Sequence, residues 1–243
     1  MGKRLVVSMT VAGVCVLAAF LDSRQAVPTN LGINYVRDSE EYATLARQVY
    51  RGATEAVTRA VPGAGQRRWG VILDIDETSL DNSTYQVERA VYGLPYDDLS
   101  WNAWVNRRAA SAVPGVVDFI AAVRRAGGHV AWITNRDVSV KEATRANLVS
   151  ERLWNDDDRL CPAEGAARTK RVRRGEVVSG EGACAWPGQP LLVVALVGDQ
   201  LGDFPEADEK IAGTGTDAAF GRTCFLLPNP MYGSWTTKVT RLR

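Results

Sequence analysis

Histidine is almost missing from this sequence. A single residue, His129, serves all 243 positions, which excludes multi-histidine metal sites and every mechanism that needs two imidazoles. An excess of charge of one sign is missing too. The 29 Lys and Arg and the 28 Asp and Glu leave a formal net charge of +1, without the basic surplus of a dedicated DNA-binding protein. A nucleic acid polymer is therefore not an expected partner, and a small molecule is. Cysteine is sparse, with 4 residues and no C-x-x-C spacing, so a structural zinc site is not expected. No internal repeat, G-x-x-x-x-G-K or G-x-S-x-G occurs, which excludes a solenoid, a P-loop NTPase and a nucleophile-elbow esterase. What is present is 46% apolar residues at low net charge, enough to bury a core. The length fits one large domain, or one domain with a small appendage.

Long apolar runs are scarce as well. Lys3 and Arg4 precede one from Leu5 to Leu21, the n-region and h-region pattern of an export signal or N-terminal anchor over residues 1–26. No comparable run follows, which excludes a polytopic membrane protein. Ala26 as the last leader residue would put Arg24 at an unfavourable position, so a retained membrane anchor stays open. Cys15 as a lipid-anchor site is disfavoured by the bulk of Val14 before it. Without the leader, Cys161, Cys184 and Cys224 allow one internal disulfide at most. Cys161 and Cys184 are the expected pair, because they flank a polar insertion.

The body alternates helical and extended patterns. Tyr42, Leu45, Ala46, Val49, Tyr50 and Ala53 recur at helical spacing behind Ser39, a plausible N-cap, and Pro62, Gly63 and Gly65 are expected to break that helix. Trp69–Ile75, His129–Ile133, Leu191–Val197 and the shorter Cys224–Leu227 read as strands, with helices over Val116–Ala126 and Val140–Leu153. Such alternation predicts an α/β fold, a Rossmann-like three-layer parallel sheet. Ligands in that fold bind beyond the carboxyl ends of the strands. Three strands here end in chemically capable residues: Asp74 and Asp76, Thr134 and Asn135, Asp199 and Asp203. Any one of these sites alone would read as a turn former or helix cap; three together point to a site.

Asp74, Asp76 and Asp199 make a hard oxygen ligand set without nitrogen or sulfur, which suits Mg²⁺ and a substrate phosphate. A cation of this kind lets a phosphoryl group approach a carboxylate nucleophile, with a second carboxylate as general acid and base.

These residues also carry a resemblance. Asp74-Ile75-Asp76-Glu77-Thr78 resembles the D-x-D-x-T motif of the haloacid dehalogenase superfamily. Together with LDIDETSLDN (Leu73–Asn82), ITNR (Ile133–Arg136), GDQLGDF (Gly198–Phe204), LPNPMYGSW (Leu227–Trp235) and the stretch holding Trp101 and Trp104, it is similar to the class C, lipoprotein e(P4)-like acid phosphatases. The likeness runs from about Ser39 to Trp235. It implies an exported, Mg²⁺-dependent phosphomonoesterase working through an aspartyl phosphate, with a phosphatase domain over 27–243 and a small helical cap from about 30–60 and 80–114. Asp74 would be nucleophile and metal ligand, and Asp76 acid and base, with its backbone carbonyl on the metal. Thr134 and Asn135 would bind phosphoryl oxygens. Asp199 would ligate the metal and Asp203 support or join it. The lysine of such sites would be Lys170, in KRVRR, rather than Lys141. Tyr85, Trp101, Trp104 and Tyr232 are candidates to stack a nucleobase, although tryptophans spaced by three also suit a core. The insertion GEGACAWPGQP (Gly180–Pro190) leaves the geometry after Lys170 open. A noncatalytic surface or storage protein on the same fold, or a phosphotransferase, are the rival readings, and oligomeric state is not legible.

Overall fold

The computed structural model describes residues 30–209, 211 and 217–237. The apolar run expected as an export signal, with Cys15, lies outside them. Among the described residues no helix is long and apolar enough to cross a membrane.

Helices α1 (Leu31–Asp38) and α2 (Glu40–Ala64) open the chain. Ser39 caps α2 by accepting the Tyr42 N–H at 3.0 Å, and Glu40 and Glu41 sit favourably at its positive end. The helix runs through Pro62, against expectation. Pro62 removes one N–H from the ladder just before the helix ends at Gly65, φ +60°, and the free carbonyls of Gly63 and Ala64 accept from the Arg67 side chain.

Strand β1 (Trp69–Leu73) follows, then the short β2 (Leu80–Asp81), α3 (Ser83–Val91), α4 (Asp98–Arg107) and β3 (Ser111–Ala112). The remainder is α5 (Val116–Arg125), β4 (His129–Asp137), α6 (Lys141–Ser150), β5 (Arg159–Ala163), α7 (Lys170–Ser179), β6 (Leu192–Gly198) and β7 (Cys224–Leu226). The main sheet has the order β5-β4-β1-β6-β7, and every neighbouring pair in it is parallel.

The alternation of side chains along each strand divides the core. Val71 and Leu73 of β1, and Val130 and Trp132 of β4, face α2, α5 and α6. Ile72, Ala131 and Ile133 face Val177 of α7 and the Cys184–Trp186 loop. This gives the three layers of an α/β fold. Helix α2 packs on α5, β6 and β7, where buried Ala46, Ala53 and Ala56 allow close approach. It is thus a layer helix, whereas α1 contacts α3. Of the 30–60 segment expected in a cap, only α1 stands with the 80–114 excursion.

Strand β5 carries Pro162 and forms one sheet edge, where a missing N–H is tolerated. Cys161 and Cys184, expected as a disulfide, come together as buried free thiols. Cys161 Sγ points at the Cys184 carbonyl oxygen, 4.0 Å away, rather than bonding to its sulfur.

The chain turns back beside β1 at the β1–β6 junction, so the carboxyl ends of β1, β4 and β6 share one crevice. The register of β1 on β4 depends on Gly70, where a Cβ would lie 2.3 Å from the His129 carbonyl oxygen of β4. Backbone cannot yield as a side chain can. Gly70→Ala is expected to cost about 3 kcal/mol or more, read as a lowered urea midpoint.

Candidate active site

The loop after β1 is wound tightly. Thr78, Ser79 and Leu80 all direct their N–H groups to the Ile75 carbonyl, and Glu77 N–H returns to Leu80 O at 2.9 Å. Closing this turn places Glu77 at φ +56°, a region costly for a residue with a Cβ. The loop is held from behind by Tyr50 of α2, whose hydroxyl donates to Thr78 O at 2.6 Å.

Asp74 sits at the start of this loop, its N–H on the Val197 carbonyl of β6 at 3.0 Å. Its Oδ1 accepts from Lys170 Nζ at 2.5 Å, and its Oδ2 lies 3.4 Å from the Thr78 hydroxyl. Lys170 is the first residue of α7, a helix capped by Thr169. Its ammonium also donates to Asp203 Oδ1 at 2.5 Å. Asp203 Oδ2 accepts the N–H groups of Asp199 and Gln200 at 3.1 and 2.8 Å. That embrace requires Gly198, where a Cβ would lie 2.4 Å from Asp203 Cβ. Asp199 Oδ2 accepts from Asn229 at 2.7 Å and Gln200 at 2.9 Å, while its Oδ1 lies 3.4 Å from Thr78 Oγ1.

Asp74, Asp199 and Asp203 are buried and present oxygens within 4.8 Å of one another. Burial, chiefly, and then the neighbouring carboxylates push the Asp74 carboxyl well above the usual range, against the pull of Lys170. Burial and the Asp203 charge push Asp199 up to about 6, although Asn229 and Gln200 oppose the shift. Burial works against the Lys170 ammonium, but Asp74 and Asp203 outweigh it and raise its pKa. One ammonium therefore does not neutralise the cluster. Asp74 Oδ2 and Asp199 Oδ1 both face Thr78, whose hydroxyl is their hydrogen-bond partner among the described residues. This donor set fits a small, hard divalent cation.

The other expected residues fall in three groups. Asn135 and Tyr232 line, with Asp74, Asp76, Lys170, Asp199 and Asp203, a cavity of about 680 Å³. Thr134 is fully buried, its hydroxyl accepting the Arg136 N–H at 3.1 Å. Tyr85 and Trp104 are buried within the 80–114 excursion and do not line the cavity, to which that excursion contributes Tyr96 and Trp101 opposite Tyr232. The reason is polar: the Trp104 indole N–H is drawn inward to Asn82 Oδ1 at 2.8 Å. Lys141 is exposed at the start of α6. Asp76 is paired with Arg136, and that arginine, Asn82 and Asn229 were not singled out by their types. Their only signal is their place inside the quoted motifs. The 180–190 insertion leaves Lys170 untouched, because it folds back on the far end of α7, with Cys184 N–H on Glu176 Oε2 at 3.0 Å.

An α/β sheet with a carboxylate and lysine cluster at its switch point defines a phosphoryl-transfer class of site. Comparison with known proteins agrees. The family model described as HAD superfamily, subfamily IIIB (Acid phosphatase) matches residues 21–235, and the chain belongs to that family. The structure of the class C acid phosphatase from Bacillus anthracis superposes with a TM-score of 0.71 and 27% identity, covering 84% of this chain and 85% of that one. A second structure of that protein, with tungstate bound, superposes with a TM-score of 0.71 and 26% identity over 84% and 85% of the two chains. Acid phosphatase 1 of Solanum lycopersicum is 26% identical over 170 residues, 66% of this chain. The chain spans 57% of that relative's length.

The carboxylate cluster makes stability pH-dependent with an unusual sign. Asp199 holds its proton up to about 6 in the folded, metal-free protein, against about 3.9 when unfolded. Between those values the folded state binds more protons, so stability falls as pH rises, by on the order of 3 kcal/mol for this group. Urea unfolding with chelator is expected to show this penalty above about pH 7, and added Mg²⁺ to stabilise more there than at about pH 4.5. Equal gains at both pH values would contradict a cation at this cluster.

Proposed function

We propose that the protein hydrolyses small phosphomonoesters, with Asp74 as nucleophile and Mg²⁺ as cofactor. The observation that carries this reading is the Asp74 carboxylate, fixed by Lys170 at 2.5 Å beside Asp199 and Asp203 at the floor of an open cavity.

Asp74, Asp199 and the Asp76 backbone carbonyl would hold the cation, with Asp203 anchoring Lys170 and the Gly198–Gln200 backbone. When bound, Mg²⁺ offsets the negative charge of phosphate and carboxylates and orients the phosphoryl group. Asn135 and Lys170 receive the phosphoryl oxygens, and Thr134 fixes the strand end beneath them. A carboxylate oxygen of Asp74 forms a bond to phosphorus as the bond to the leaving oxygen breaks, and Asp76 gives that oxygen its proton. Water then attacks phosphorus, Asp76 takes the water proton, and the Asp74–phosphorus bond breaks. Carboxylate, alcohol and phosphate result, and Asp76 ends as it began. A tungstate complex of the Bacillus anthracis relative is in keeping with an oxyanion site.

The segment 80–114 with α1 serves as the cap over this cavity. Its Tyr96 and Trp101, with Tyr232 opposite, offer apolar faces that suit an aromatic leaving group, including the base of a nucleoside monophosphate. The Lys3–Leu21 pattern supports export, with or without a retained anchor.

Phosphate release from an aryl phosphate and a nucleoside monophosphate, with Mg²⁺ or chelator, tests the reading. Asp74→Asn is expected to lose about 10³-fold or more, and chelator to abolish turnover reversibly. Turnover that survives Asp74→Asn would sink the mechanism. Phosphate appearing on an added alcohol instead of water would favour a phosphotransferase, and no turnover at all a noncatalytic protein.

A further inference from the structure

Asp76 is gripped by one of its two oxygens. Arg136 Nε and Nη2 lie 2.9 and 2.7 Å from Asp76 Oδ1, and Asn82 Nδ2 lies 3.0 Å from the same atom. Among the described residues no donor meets Oδ2, and Asp76 lines the cavity. The grip is itself held. The Arg136 side chain is 1% exposed, with Nη1 on the Thr144 hydroxyl and Nη2 on Asn82 Oδ1, both at 3.3 Å. Its guanidinium lies over the Trp101 ring at 5.8 Å, within cation–π range.

The orientation of the Asn82 amide follows from donor chemistry. An indole N–H and a guanidinium can only donate, so the oxygen of Asn82 must face Trp104 and Arg136. Its NH₂ group is thereby turned to Asp76. Main chain fixes it further, through Asn82 N–H on Glu77 Oε1 at 2.9 Å. A proton on Asp76 Oδ1 would point into the N–H donors of Arg136 Nε and Asn82 and against the Nη2 end of the guanidinium, whereas among the described residues a proton on Oδ2 meets none.

We propose that Arg136 and Asn82 are positioning residues that divide the oxygens of Asp76: Oδ1 is locked as acceptor, and Oδ2 alone carries the proton to the leaving group. The inference rests on the acid–base role proposed for Asp76. It gives Trp104 a function other than stacking, since the cap holds the Asn82 amide through that indole. It also assigns the Arg136 guanidinium, which lines the cavity, to Asp76 rather than to phosphate, because its Nε is turned to Asp76, its Nη2 to Asp76 and Asn82 and its Nη1 to Thr144.

General acid catalysis matters most when the leaving group is poor. The test is therefore kcat/KM for 4-nitrophenyl, phenyl and ethyl phosphate, together with the inhibition constant of inorganic phosphate. Arg136→Met and Arg136→Lys are both expected to lose about 10²-fold on ethyl phosphate and only a few-fold on 4-nitrophenyl phosphate, with phosphate inhibition unchanged. Lysine keeps the charge but not the fork. Trp104→Phe, which leaves the buried arginine in place, is expected to show the same selective loss at about tenfold, and decides the matter if the Arg136 variants do not fold. A loss equal across the three esters, or phosphate inhibition weakened along with it, overturns the inference. Asp76→Asn separates the two levels. If it discriminates among leaving groups while the Arg136 and Trp104 variants do not, only the positioning role fails; if Asp76→Asn does not discriminate either, the acid–base reading itself fails.

Discussion

The ammonium of Lys170, buried between Asp74 and Asp203, is the interaction on which the carboxyl edge of the sheet depends. Three carboxylates converge there from the ends of β1 and β6 and the turn that follows, and like charges this close in a poorly solvated site repel strongly. The fold answers with several partial compensations. Asp203 takes two backbone N–H groups, Asp199 takes two side-chain amides, and Lys170 spans the remaining pair. The compensation stops short. Burial foremost, and then the neighbouring carboxylates, keep the pKa values of Asp74 and Asp199 raised. A cluster left in that condition is compatible with a bound cation.

Rigidity around this cluster comes from the loop that follows β1. A left-handed Glu77, three N–H groups on one carbonyl and a tyrosine brace from α2 fix the backbone of Asp74 to Leu80. Such strain persists only where surrounding contacts enforce it. Glu77 is wholly buried, and burial foremost, with Asp76 close by, raises its pKa well above the usual range. Its Oε1 serves the Asn82 N–H, which ties the turn to the start of α3. Asp74 and Asp76 are therefore positioned by the main chain.

Much of this was legible in the sequence, and the exceptions share a cause. Strands β1, β4 and β6 announce themselves because they are buried on both faces and read as continuous apolar runs. Helices α2 and α5 show clear apolar stripes. Helix α7 does not, since its inward residues include Arg173 and Arg174, buried through hydrogen bonds to Cys161 O and Asn135 and through the Glu209 ion pair. A polar side chain can be core when its partner lies far along the chain, and no periodicity reveals that. The same holds in the site. Asp74, Asp199 and Lys170 stand at strand and helix ends, where position suggests chemistry. Arg136 meets Asp76 across 60 residues and Asn229 meets Asp199 across 30, so their roles exist only in three dimensions. Trp101 and Trp104 share one helix and are both buried, yet Trp101 lines the cavity while the Trp104 indole binds Asn82, a division that spacing does not reveal.

Asp74 and Asp76 show how two identical side chains, two positions apart, are given different surroundings. Asp74 is surrounded by other carboxylates and touched by one ammonium, so its charge is needed but not permanently cancelled. Asp76 is half-buried at the cavity wall and bound through one oxygen by an arginine and an amide. Environment rather than residue type assigns such pairs their roles. A nucleophile must keep an unshared electron pair directed at phosphorus, and a single ammonium on one oxygen of a carboxylate leaves such pairs. A proton donor must present one oxygen in a constant direction while the other is immobilised, and a rigid guanidinium fork does this better than a flexible amine. The 80–114 excursion takes part in this division: the Trp104 indole fixes the oxygen of the Asn82 amide, and the amide thereby turns its NH₂ group to Asp76.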